Sequence, residues 1–384
     1  MKKKLMMLVI GTCLLMSGCG NSASKPTEAA VAPTEAAAAP TEKAAESSGE
    51  KTEEADSGKE IVAGVCWYNF ADTFIANARQ TLLNVSEADA TIKVIDADSQ
   101  NDTANQTNNM NNFLTKDVDY LVLNNINTGA ISEICEQLKE AGCYGIFANT
   151  DSPKDEDFAQ NDKLYLVSSN APKSGTIMGE ALVEYWNAHP EADRNGNGKM
   201  DYVMLLGIQS HYDTIVRSQY SVDAIKEAGI EMNSIGGEIV CEYSRAAAQE
   251  KVSALLANYR DDIDAIIACN DDMALGAIEA LKAGGFFEGE NNYIPVTGVD
   301  ATVVGCEAVK EGTLLVTALN NPVTLSKAIY KVMYLTNSGE EVTTDSMGMD
   351  GVTVDGHRVW LDYKKISKDN VEEANYDITD VNFK

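Results

Sequence analysis

From Glu60 to about Asn320, short apolar runs alternate with longer stretches in which apolar residues recur at helical spacing. The runs are IVAGVCWY, TIKVIDA, YLVLNN, YGIFAN, LYLVSS, DYVMLLG, IVCEY, AIIACN, IPVTGVD and LLVTALN. Runs this apolar predict parallel strands covered on both faces, because a strand with one wet face would alternate. The intervals leave room for crossover helices, so the pattern predicts an α/β fold of doubly wound parallel sheets. In such sheets ligands sit outside the carboxyl ends of the strands, which directs attention to the residues that follow each run.

Those residues repeat one chemistry. Asp72 and Phe74 follow the first run, Asn149 ends the fourth, and Asn270, Asp300 and Asn320 end three later ones. The stretch GIQSHYDTIVRSQY places His211, Asp213 and Arg217 just past DYVMLLG. Read singly, each Asp or Asn is a helix cap, and Asp213 with Arg217 is a solvated pair one helical turn apart, worth about 0.2–0.5 kcal/mol. Read together, carboxylates, amides, a guanidinium and an aromatic ring are what a polyhydroxylated ring requires. A sugar hydroxyl both donates and accepts, so an Asp takes its proton while an Asn or Arg donates to its oxygen.

The chain begins MKKKLMMLVIGTCLLMSGCG, three lysines and then an apolar stretch from Leu5 to Met16. A bilayer span needs about 17–25 apolar residues, so this layout is that of an export signal. The SGC ending resembles a bacterial lipoprotein signal, which implies removal of residues 1–18, lipidation of Cys19 and anchoring at the outer face of the cell membrane. Residues 19–58 are mostly Ala, Pro, Thr, Glu, Ser and Lys with a recurring PTE. They have almost nothing apolar to bury and are expected to form a disordered tether. The remaining stretch of roughly 320 residues is long for one core and fits two lobes.

A formal net charge of -29 makes nucleic acid an unsuitable partner. Six cysteines lie beyond Cys19, namely Cys66, Cys135, Cys143, Cys241, Cys269 and Cys306, without a CxxC pair. Three of them fall inside apolar runs, so most are read as buried small hydrophobes.

GVCWYNFADTF, DSQNDTANQ, NDDMALGAIEALKA and GVDA resemble stretches of the galactose/glucose-binding proteins of bacterial ABC sugar importers, which are type I periplasmic binding proteins. The resemblance runs from Lys59 to about Val371. It implies two lobes joined by three crossovers near Ser168–Asn170, Asn320–Pro322 and Val354–Val359. The first lobe would be 59–168 plus 321–355, the second 169–320 plus 356–371, and 372–384 a C-terminal tail. It further implies sugar contacts from Asp72, Phe74, Asn149, His211, Asp213, Arg217, Asn270, Asp300 and Asn320. Asp72 would meet the 4-hydroxyl and so admit both glucose and galactose, and Phe74 would cover one sugar face. Tyr243 stands where the family places a second stacking ring, a tryptophan. The implied partners are a monosaccharide, the membrane permease of an ABC importer and, further, a chemoreceptor, with the protein acting as a monomer.

The same resemblance gives a reading for DRNGNGKMD. Asp193, Asn195, Asn197, the Lys199 carbonyl and Asp201, with Gly198 at the turn, reproduce the first nine positions of a calcium loop. An EF-hand would place Glu at the twelfth position, where this chain has Met204. The family supplies the missing ligand from a distant segment, and Asp264 occupies that place. Ca²⁺ is therefore the expected cofactor, against the plainer reading of an Asn-Gly turn facing water.

Two other functions compete. A secreted glycosidase would need two acids about 5 to 9.5 Å apart, such as Asp72 and Asp300, but the surrounding amide and guanidinium donors suit binding, and His211, His189 and His357 show no triad partners. A receptor of the same fold for ribose, another aldose or a nucleoside is the nearer alternative. The sugar reading carries the expectation that Arg217→Ala removes affinity without unfolding the protein.

Overall fold

The computed structural model describes residues 59–288 and 292–384; the export signal, Cys19 and the tether lie outside the described residues. All ten apolar runs contribute to strands. In the first half β1 (Ile61–Trp67), β2 (Ile92–Asp98), β3 (Tyr120–Leu123), β4 (Tyr144–Ala148) and β5 (Leu164–Ser169) alternate with α1 (Thr73–Asp89), α2 (Thr103–Thr115), α3 (Ile131–Ala141) and α4 (Asp155–Gln160). After α5 (Ala171–Ala188) the pattern repeats. It runs through β6 (Met200–Leu206), α6 (Tyr212–Glu227), β7 (Met232–Val240), α7 (Arg245–Tyr259), β8 (Ala265–Ala268), α8 (Asp271–Ala283), β9 (Val296–Val299), α9 (Val303–Glu311) and β10 (Val316–Leu319). The chain closes with α10 (Pro322–Asn337), α11 (Thr344–Met347), β11 (Val352–Asp355), β12 (Arg358–Leu361), β13 (Lys364–Ile366) and a 3-10 turn at Val371–Ala374.

These strands form two sheets, ordered β11-β12-β5-β4-β3-β1-β2 and β13-β10-β9-β8-β6-β7. Pairing is parallel throughout except for β11 on β12 and β13 on β10, both at sheet edges. Successive side chains of a strand face opposite sides, and β1 shows the result. Val65 and Trp67 enter the core under α1 and α10, while Cys66 enters the one that also holds Met110 and Phe113 of α2. A third core fills the second lobe.

The chain passes from β5 to α5 at Asn170, which carries it into the second core, and from β10 to α10 at Asn320–Asn321, which returns it to the first. The third passage departs from the expected Val354–Val359. Asp355 pairs with Arg358 across a two-residue turn in which Gly356 takes φ +57, so β11 and β12 form a hairpin. Because β12 then lies parallel on β5 with Val359 and Leu361 buried, residues 358–361 belong to the first lobe. The crossing falls at Asp362–Tyr363, immediately before β13 pairs with β10.

Residues 372–384 are not a free tail. Ala374 is buried in the second core and Phe383 in the first. The six cysteines among the described residues are unpaired thiols, five of them buried, as the apolar runs implied. Among the described residues no helix is long and apolar enough to cross a membrane.

Candidate functional site

The carboxyl ends of both sheets face one narrow cavity, with about 30 Å³ of free space and walls drawn from both lobes. The first lobe supplies Asp72, Phe74 and Asn149, and the second supplies His211, Asp213, Arg217, Tyr243, Asn270 and Asp300. Asn320 does not line it. That side chain is 1% exposed and stands behind the wall, donating to Asn149 Oδ1 at 3.1 Å and accepting from Ser169 Oγ at 2.7 Å.

Several of these residues hold the fold and face the cavity at once. Asp72 caps α1, Oδ1 accepting from the Ile75 N–H at 2.9 Å, and its Oδ2 accepts from Tyr68 Oη at 2.6 Å. Burial raises its carboxyl pKa, opposed by those two bonds. Asn270 caps α8 through Oδ1, 3.0 Å from the Met273 N–H. With Oδ1 of Asn270 and of Asn149 already occupied, what each amide has left for a ligand is its N–H groups.

Arg217 is the most constrained side chain. It is 3% exposed, and its Nη1 donates to the Cys269 carbonyl at 2.9 Å, while Nη2 donates to Asp213 Oδ2 at 2.7 Å and Tyr363 Oη at 2.9 Å. Its Nε is buried without a partner, as is His211 Nε2. Burial, and then the charge of Arg217, push the His211 imidazole down to about 4, so it is neutral at ordinary pH. Asp213 and Asp300 are pushed upward by burial, against the attraction of Arg217. Beneath the site Asp271, raised to about 7 by burial, accepts from Thr302 N and from the hydroxyls of Thr302 and Thr317, fixing the turn that presents Asp300.

Backbone strain collects here. Asn149, Tyr243 and Asp300 take φ values of +49, +60 and +110, conformations that cost on the order of 1–3 kcal/mol each and persist where the surroundings enforce them. Tyr243 is held by its hydroxyl, 2.7 Å from Thr214 Oγ1, and by Gly207, where a Cβ would come within 2.2 Å of the tyrosine ring. The ring stands in an aromatic group with Tyr68 and His211, at centroid distances of 6.2 and 5.8 Å.

The lobes also touch directly. Thr73 Oγ1 donates to Asp272 Oδ2 at 2.7 Å across the cleft, and Arg245 Nη2 holds the other oxygen of Asp272 at 2.8 Å. Sequence reasoning missed Tyr68, Asn124 and Tyr363. Asn124 was visible as the end of YLVLNN; its amide donates to the Ala148 and Asn149 carbonyls. Tyr363 gave no signal, because it lies in the misplaced third crossover. His189 meets Glu191 and His357 meets the Leu164 carbonyl, both away from the cavity.

The loop from Asp193 to Asp201 is on the second lobe. Asp201 accepts from the side-chain amides of Asn195, Asn197 and Asn233. Asp264 accepts the Arg194 N–H at 2.9 Å and the Asp201 N–H at 2.8 Å, and is raised to about 6 by burial first, with Asp201 and Asp193 adding repulsion. Asp264 is therefore beside the loop. Among the described residues no three His, Cys, Asp or Glu side chains are grouped to chelate an ion as they stand.

Residues 62–341 match the family model for the periplasmic binding protein domain. The D-galactose/methyl-galactoside binding periplasmic protein of Haemophilus influenzae is 30% identical over 281 residues, 73% of this chain and 82% of the relative. A ribose import binding protein of Bacillus subtilis is 24% identical, covering 72% of this chain and 82% of its own. Among solved structures, an ABC transporter solute binding protein of Bacillus halodurans C-125 with bound myo-inositol superposes with a TM-score of 0.68 at 25% identity, over 82% of this chain and 96% of that one. The chain belongs to the periplasmic binding protein family. It is an extracytoplasmic solute-binding protein of the kind that serves ABC transporters, not an enzyme.

The burial of Arg217 adds a stability cost to the expected loss of affinity. Losing the guanidinium would strip Asp213 of its ion pair, and breaking a buried pair costs about 3–5 kcal/mol. Arg217→Ala is therefore expected to lower the urea midpoint markedly as well as weaken binding, and Asp213→Asn in the same chain should restore part of the stability. An unchanged midpoint in Arg217→Ala would show that the pair is solvated after all.

Proposed function

We propose that this protein captures D-galactose or D-glucose between its lobes and delivers it, as a monomer, to the permease of an ABC importer. The observation that carries the reading is the polar inventory of the cavity. Three carboxylates, two amides with N–H groups to spare, and the buried unpartnered nitrogens of Arg217 and His211 converge there. A hydroxylated ring satisfies donors and acceptors together, whereas an apolar ligand would leave them unpaired at about 1–3 kcal/mol each. Three carboxylates against one guanidinium also disfavour anionic ligands.

Tyr243 supports a second reading. A tyrosine pinned to Thr214 gives that wall a different shape from a tryptophan, and the relatives include a ribose binder and an inositol-bound structure. Another monosaccharide or a cyclitol is the alternative. Isothermal titration of protein beginning at Lys59, refolded to remove carried-over ligand, decides between them. One-to-one binding of a hexose at roughly micromolar affinity, about -8 kcal/mol, with ribose and myo-inositol silent, is the expected result. Silence toward both hexoses would overturn the reading.

Calcium is proposed for the loop of Asp193, Asn195, Asn197, the Lys199 carbonyl and Asp201, completed by Asp264. Asp193, Asp201 and Asp264 have no ion-pair partner among the described residues, and the three amides that donate to Asp201 carry carbonyl oxygens that rotation would present instead. A bound cation would supply the missing positive charge and tie the loop to the start of β8. Calcium at a hundredfold excess over its Kd should stabilise the fold by about 2.7 kcal/mol, seen as a raised melting temperature that EDTA reverses and Asp264→Ala abolishes. A melting temperature indifferent to calcium would remove the metal from the account.

Cys19 is proposed as the lipidated residue that holds the protein on the outer face of the membrane, with the chemoreceptor as a further partner. Mass spectrometry of the protein from its host should find a diacylglyceryl group on Cys19, and Cys19→Ser should release it into the medium. A mature protein with an unmodified Cys19 thiol would refute the anchor.

A further inference from the structure

The three crossovers are not the only connections between the lobes. After β13 the chain is anchored in the second lobe by Val371 and Ala374, with Lys310 3.0 Å from Glu372. It then runs onto the first lobe. Asn77 of α1 donates to Tyr376 Oη at 3.4 Å, and Asn84 Nδ2 donates to the Ile378 carbonyl at 3.0 Å. The far end is fixed by Phe383, 5% exposed, its ring edge-on to Tyr330 and Tyr334 of α10 at 4.8 and 5.4 Å. The match to the family model ends at residue 341, before this segment begins.

We propose that residues 375–378 act as a fourth, non-hinge strap that limits how far the cleft opens and so raises the fraction of protein ready to close on its ligand. This rests on the reading of the cavity as a sugar site. The four steps from Ala374 to Ile378 reach at most about 14 Å when extended. Asn77 lies one helical turn beyond Thr73, whose hydroxyl bridges the cleft to Asp272. Separating the lobes at that point must therefore draw the strap taut or pull Phe383 from its pocket. Apparent affinity scales with the fraction of protein in the binding-competent form, so a strap that excludes wide-open forms strengthens binding without touching the ligand.

The test slackens the strap and keeps both anchors, by inserting Gly-Ser-Gly-Ser-Gly-Ser between Tyr376, which packs against the second-lobe core, and Asp377. Small-angle scattering of the ligand-free protein should give a larger radius of gyration than the unmodified chain, while the sugar-saturated forms coincide. Sugar affinity should fall by about 3- to 10-fold, in proportion to the lost competent fraction. Phe383→Ala, which frees the far anchor, should shift both readouts the same way. Identical ligand-free scattering for the inserted and unmodified chains would overturn the proposal. Because that comparison needs no ligand, it stands apart from the identity of the sugar.

Discussion

The rest of the molecule is arranged around one buried guanidinium. Arg217 sits where α6, the end of β8 and the third crossover meet, and it bonds to Asp213, the Cys269 carbonyl and Tyr363. A charge this deep is tolerated only when it is paired and held by hydrogen bonds, so the three segments must arrive in register before the cleft exists. Those bonds use three of its five N–H groups, and Nε is buried without a partner. The constraint that closes the second lobe thus also leaves a binding group, since an orphaned N–H in a polar cavity gains a full bond when a hydroxyl arrives.

The same economy governs the strand ends. A helix that follows a parallel strand needs a cap, and the favoured caps are Asp and Asn; a sugar needs Asp and Asn too. Asp72 and Asn270 serve both demands because a cap uses one oxygen and leaves the Asn270 amide N–H groups, and Asp72 Oδ2 beside Tyr68, on the cavity side. Asn320 shows where the pattern fails. The residue that caps α10 is Asn321, through bonds to Val323 and Thr324, and Asn320 turns inward to orient Asn149 instead. Its influence on a ligand passes through the neighbouring amide.

Much of the fold was legible because a strand covered on both faces must be apolar along its whole length. What failed was what lies outside that rule. The start of β7 carries exposed residues and two glycines at positive φ, so IVCEY marked only its end. Strands β11 to β13 are short, with β11 and β13 at sheet edges, and reading them as linker moved the third crossover by several residues and hid Tyr363. At the site, residue types at strand ends identified the cavity wall, yet sequence spacing could not distinguish a solvated Asp213–Arg217 pair from a buried one. Burial is set by β8 and Tyr363, which are distant in sequence. Tyr68 was overlooked for a related reason: at the end of an apolar run an aromatic reads as core, and only its 2.6 Å bond to Asp72 shows its second role.

The direct contacts between lobes change how closure must be understood. A ligand shifts a conformational balance only by its difference in affinity for the two forms. Here the closed arrangement already has contacts of its own, in Thr73 with Asp272 and in the aromatic group that joins Tyr68 to His211 and Tyr243. The ligand therefore need not supply the whole free energy of closing. Opposing it are Asp72, Asp213 and Asp300, whose raised pKa values express the cost of keeping three carboxylates out of water near a single cation. A hydroxylated ligand relieves that cost by donating to them, which water can also do in an open cleft but not in a closed one. Closure and ligand capture are coupled through those carboxylates: the polar groups that make the empty closed form unfavourable are the groups that a sugar satisfies.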